Sequence, residues 1–182
     1  MANIINTIDG TATVWSDTTD YSSTVSGLAR THQIDLTSLA DAAARQGAKG
    51  DLTATRARRY KALAAIEYAV APASGVVLSI YWASSPSGTA ANANPGGTSG
   101  SDAAYTGTAG DSLADSLLQL QFVGDMILTA DATTVVQYQE IGLLEDILRY
   151  GMPVVMNSGG QALHSDAVEM YVALIPLLDE VQ

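Results

Sequence analysis

His32 and His164 are the two imidazole side chains of this sequence, and the chemistry open to them is limited by what surrounds them in the chain. Neither has a neighbouring histidine, and no Gly-x-Ser-x-Gly elbow accompanies them, so a Ser-His-Asp hydrolase and a histidine-clustered metal centre are both unexpected. His32 stands where a Ser/Thr-rich stretch meets the first apolar run, and His164 lies in a turn before Asp166. Both are read as exposed structural residues. The glycine-rich run Gly96-Gly97-Thr98-Ser99-Gly100 has no lysine after it and no strand-to-helix transition, which a phosphate cradle needs. Asp111, Asp115, Asp125 and Asp131 lack the alternating spacing and closing glutamate of a calcium loop. Glu140, Glu145, Asp146 and Glu169 read as a solvated acidic surface. There is no cysteine, which excludes disulfides, thiolate zinc, iron–sulfur clusters and thiol nucleophiles. The expectation is a protein with no catalytic residues, no metal and no cofactor, and not an enzyme.

One cluster has positive content. Arg56, Arg58, Arg59 and Lys61 place four cations within six residues, and arginine forks pair bidentately with carboxylates, so these four are the candidate partner-binding residues. The competing reading is pairing with the chain's own excess of acids. In a strand, Arg56, Arg58 and Tyr60 would face one way and Arg59 and Lys61 the other.

The elements that must position these groups follow from composition and pattern. A chain of 182 residues, 47% hydrophobic and 15% charged, suits one compact domain. The net charge of −11 argues against a nucleic-acid partner. Residues 1–75 hold seven basic and seven acidic groups, while residues 76–182 hold Arg149 against twelve acids, so one acidic face and one neutral or basic face are expected. The first residues show neither part of a secretory signal, and the apolar stretch 62–83 is interrupted by Glu67 and by Pro72 to Gly75. A soluble chain with no membrane partner is expected.

Residues 1–31 read as an extended N-terminal arm, because eleven serines and threonines between 7 and 31 leave no apolar period long enough for a packed element. The domain proper is expected over 32–182. Strands are expected at Ile34–Leu39, Val76–Trp82, Thr133–Tyr138, Pro153–Met156 and Val168–Leu178, with a further short apolar segment at Leu117–Leu128. Residues 40–50 are ambiguous, and Tyr60–Val70 fits a helix or a half-wet strand. Residues 83–113 form a long Gly/Ser/Ala-rich loop from which no core can be built; with the arm, it is expected to order against a partner or a neighbouring subunit. The fold class predicted is all-β, an antiparallel jelly-roll sandwich carrying that arm and that loop.

The stretch Tyr81–Gly97 (YWASSPSGTAANANPGG), with Ser101–Gly107 (SDAAYTG), Leu118–Gly124 (LQLQFVG), Arg149–Val155 (RYGMPVV) and Ala162–Met170 (ALHSDAVEM), resembles small virion structural proteins of tailed bacteriophages. The likeness covers roughly residues 32–182. It implies a jelly-roll head protein of the cement or decoration type, seated on the capsid surface of the virion. Its partners would be the major capsid protein or another virion protein, and further copies of itself in a homo-oligomer. A neck or tail position is equally compatible with the resemblance. The rival class is a carbohydrate-binding or adhesive jelly roll displayed on the particle, with Tyr81, Trp82 and Tyr105 as stacking surfaces.

Overall fold

A computed structural model describes residues 5–54, 56–131 and 135–181. Twelve strands are present among them: β1 (Ile5–Asp9), β2 (Thr13–Ser16), β3 (His32–Gln33), β4 (Ala44–Gln46), β5 (Gly50–Asp51), β6 (Arg59–Ile66), β7 (Val77–Ser85), β8 (Ala103–Tyr105), β9 (Gln121–Ile127), β10 (Gln137–Glu145), β11 (Tyr150–Ser158) and β12 (Tyr171–Val181). Two short helices, α1 (Ser23–Ser26) and α2 (Leu113–Leu117), lie outside the sheets. One sheet runs β10-β6-β12-β2-β3, with β1 also on β12; the other runs β8-β4-β11-β7-β9, with β5 on β11. Every ladder is antiparallel except β2 with β3. The fold is therefore the all-β antiparallel sandwich expected. Its eight principal strands pair first with last: β2 with β12, β4 with β11, β6 with β10 and β7 with β9.

Alternation explains which side chains meet between the sheets. Tyr60, Ala62, Ala64 and Ile66 of β6 and Val172 and Leu174 of β12 face Leu78, Ile80 and Trp82 of β7 and Val155 of β11 in the main core. The outward residues of the same strands are also buried. Leu63, Ala65, Tyr171 and Ala173 form a second cluster with Val14, against which Tyr21 and Leu28 pack. Burial on both faces makes β6 and β12 read as continuous apolar runs, which is why Tyr60–Val70 could not be told from a helix.

The expected arm is corrected by this arrangement. Residues 5–9 and 13–16 are strands on β12, with Asp9 opposite Leu177 and Trp15 opposite Val172. Val14 and Trp15 are fully buried on opposite faces, one under residues 17–31 and one in the core. Two short strands, interrupted at Gly10–Ala12, offer no period to read. Residues 17–31 fold back over the outer face of the β6/β12 sheet. There the Tyr21 hydroxyl donates to the Leu28 carbonyl at 2.7 Å and its ring meets Tyr171 edge-on at 6.2 Å, and burial pushes the Tyr171 phenol up to about 12.

The long loop is corrected too. It is a lid over the outer face of the other sheet, where Tyr105, Leu117 and Leu120 pack on Ala44, Ala83, Met152 and Val154. The Tyr105 hydroxyl donates to the Gly96 carbonyl at 2.5 Å, and buried Gln46 pairs both ways with Ser99 through its side-chain amide, at 2.6 and 3.0 Å. Arg45 Nε reaches Asp102 at 2.7 Å. Neither segment needs a neighbour in order to pack.

Candidate docking surfaces

The four candidate cations gather at the start of β6, beside the end of β10. Arg59 pairs in register with Glu145 and Lys61 with Leu143. Their charged groups are occupied within the chain. Arg56 Nε donates to the Ile147 carbonyl at 2.9 Å, Arg58 meets Asp146 at 3.4 Å, Arg59 meets Asp179 at 3.2 Å and Lys61 meets Asp9 at 3.1 Å. Arg58 nevertheless remains open to solvent, its side chain 85% exposed. Exposed pairs of this kind contribute ~0–1 kcal/mol each, so they yield readily to a competing carboxylate.

The expected division into an acidic and a basic face does not survive the strand order. Both sheets interleave strands from residues 1–75 with strands from 76–182. Of the six ion pairs among the described residues, four join the two parts: Arg45–Asp102, Arg58–Asp146, Arg59–Asp179 and Arg149–Asp51. In the last, the guanidinium bonds both carboxylate oxygens at 2.8 and 2.7 Å and holds Asp51 below the usual carboxylate range.

A surface that sequence reasoning missed runs along one flank. β9 and β10 are the edge strands of the two sheets, and they lie against each other. The Gln139 side chain accepts from the Ile127 N–H at 3.0 Å, and Gln137 accepts from the Thr129 N–H at 2.9 Å. Among the described residues, four of the exposed large apolar side chains lie on these two strands: Phe122 and Ile127 on the outer face of the β7/β9 sheet, and Tyr138 and Leu143 on the outer face of the β6/β10 sheet. They border the β9/β10 edge from its two sides, so a partner gripping that edge would cover both pairs. The legible signal was electrostatic, since no lysine or arginine occurs between Lys61 and Arg149.

The histidines sit on separate elements. His32 is half-buried rather than exposed, stacked on Trp15 with ring centroids 5.1 Å apart, its Nδ1 2.9 Å from the Thr31 hydroxyl. Burial lowers its pKa, with Asp51 opposing in part. The unfolded chain thus takes up this proton near pH ~6.5 while the folded chain resists it, so His32's contribution to stability is complete above that pH and falls as the pH drops below it. His32→Phe keeps a stacked ring without a proton site. Its urea midpoint is expected to fall less than that of the parent between pH ~7 and ~5.5, and parallel curves would refute the assignment. His164 Nδ1 accepts from the Asp166 N–H at 3.0 Å, closing a turn.

The acidic series is likewise engaged locally. Ser112 caps α2, accepting from the Asp115 N–H and donating to the Asp115 carboxylate at 2.6 Å, and Asp125 accepts from Ser79 at 2.6 Å. Among the described residues, no group of three or more histidines and carboxylates could hold a metal ion. Of the three aromatics considered for sugar stacking, Trp82 and Tyr105 are buried in the two clusters and Tyr81 is partly covered, edge-on to Phe122 at 5.4 Å. No helix among the described residues is long and apolar enough to cross a membrane. No protein-family model, curated protein or solved structure matches the chain.

Proposed function

We propose that this chain is a virion structural protein of a tailed bacteriophage, a capsid cement or decoration protein that binds the outside of the head shell and stabilises it, acting as one of several identical copies. The observation that carries the reading is the first-with-last pairing of the eight principal strands. This pairing supports a long hairpin wound as a jelly roll, the architecture implied by the virion-protein resemblance of residues 32–182. The layout of the surface supports it. Parts of both outer faces are covered by the chain's own segments, and exposed apolar side chains are left on either side of the β9/β10 edge. Docking along an edge while the lid faces solvent suits repeated attachment to a symmetric shell, where neighbouring contacts let each copy bind modestly.

On this reading Arg56, Arg58, Arg59 and Lys61 lie at one end of the docking flank and supply orientation, while Phe122, Ile127 and Tyr138 supply the energy. Phe122→Ser with Tyr138→Ser is expected to lower particle occupancy at least ~10-fold, as hot-spot truncation at an interface does. Arg58→Ala is expected to lower it modestly, and more so at low salt. Unchanged occupancy in the double variant, scored by mass spectrometry of gradient-purified particles, would remove the flank from the reading. A cryo-EM map of the particle tests the function itself: density on the outside of the head is expected, and density at the neck, density along the tail or absence from the virion each overturns it. Retention on a glycan array in the absence of any shell would favour the adhesive alternative.

A further inference from the structure

Lys49 follows β4 and places its ammonium under the lid. Nζ lies 3.0 Å from the Ser85 hydroxyl and 3.0, 2.8 and 3.0 Å from the carbonyls of Ser87, Thr89 and Asn92, four acceptors that share its three protons. Four neutral oxygens from one eight-residue stretch thus surround one cation, and Lys49 takes part in none of the ion pairs among the described residues. The ring is built in its own right. Ser85 is fully buried, and its hydroxyl lies 3.0 Å from the Ala93 carbonyl, while the Asn94 amide donates to the Ala90 carbonyl at 2.7 Å. The Lys49 backbone N–H adds a tie to the Gly100 carbonyl at 2.9 Å, across the lid.

Backbone carbonyls converging on a point form a site for a weakly hydrated monovalent cation, as they replace the water shell of potassium in channel filters. Calcium sites usually include carboxylates, and this ring offers only neutral oxygens. We propose that Ser85, Ser87, Thr89 and Asn92 form a monovalent-cation site whose resident ion is the protein's own Lys49 ammonium, and that this tethered cation holds the lid closed over the outer sheet face. The inference is independent of what the flank docks with. It also accounts for a lid that packs on its own domain although its composition offers no core.

The test is limited proteolysis of the whole chain by elastase, with cleavage between residues 86 and 94 mapped by mass spectrometry. Buried Trp15 and Trp82 report the state of the core by fluorescence. In choline chloride, Lys49→Ala is expected to be cut there ~10-fold faster than the parent, the change given by ~1.4 kcal/mol of lost local stability, with native tryptophan emission. Ammonium or potassium chloride at equal ionic strength is expected to restore protection, and lithium chloride is not. Unchanged cleavage in Lys49→Ala overturns the proposal, as does a loss of protection that neither ammonium nor potassium reverses. Should that variant fail to fold, Ser85→Ala keeps the lysine and removes one acceptor. Its cleavage is expected to rise at 86–94 and at no other site, and parent-like cleavage there overturns the proposal equally.

Discussion

Trp15→Ala is expected to lower the stability of the chain by ~3–5 kcal/mol, a large share of what a domain of this size has in reserve. The side chain is fully buried, meets Trp82 edge-on at 5.5 Å, stacks on His32 and donates its Nε1–H to the Ala48 carbonyl at 2.7 Å. Deletion removes the ring's contacts and leaves that carbonyl without its partner. The hole is not easily closed, because the surrounding backbone is shaped to the ring: a Cβ on Gly50 would sit 2.7 Å from the Trp15 Cζ2. The measurement is urea unfolding, with a lowered midpoint and an unchanged slope expected. A shift below ~1 kcal/mol would mean that the N-terminal strands are dispensable, as a detachable arm would be. By the same geometry, deleting residues 2–30 would remove β1, β2 and a core tryptophan together.

How far the sequence revealed this molecule depends on how many faces each strand buries. β7 was legible because Leu78, Ile80 and Trp82 alternate with less buried neighbours, and β11 and β12 because their apolar content is dense. β10 was nearly invisible: a bulge between Glu140 and Gly142 breaks its alternation, and Leu144 is its one fully buried side chain. Residues 133–134 of the strand expected at Thr133–Tyr138 lie outside the described residues, and β10 begins at Gln137. The segment at 40–50 was ambiguous because its glycines serve the Trp15 ring rather than the local chain. The cation cluster could be located from sequence, but its partners Asp146 and Asp179 are 88 and 120 residues away, distances no local pattern spans. The apolar flank escaped notice for a similar reason. Only the pairing of β9 with β7 and of β10 with β6 places Phe122 and Tyr138 beside the sandwich edge.

Gly151→Ala is the substitution whose effect should most exceed its size. Gly151 lies in β11 between Gly50 of β5 and Ser84 of β7, and a Cβ there would overlap the five- and six-membered parts of the Trp82 indole. Neither side can give way cheaply: the strand is hydrogen-bonded on both edges, and Trp82 is wedged edge-on against Trp15. Overpacking of this sort costs ~1–3 kcal/mol, and a clash with a rigid ring pinned between two sheets belongs at the upper end. Trp82 also has a second peculiarity, a buried Nε1–H with no hydrogen-bond partner among the described residues. Its replacement by phenylalanine forfeits packing but releases a donor whose burial costs ~1–3 kcal/mol, so the single substitution Trp82→Phe should be milder than its volume suggests. Combining the two should then be less damaging than their sum, because the smaller ring vacates the space the new methyl needs. A double-mutant cycle by urea unfolding should show a favourable coupling of at least ~0.5 kcal/mol, the least that marks contacting residues. Simple additivity would mean that the Gly151 backbone, rather than the indole, sets the cost.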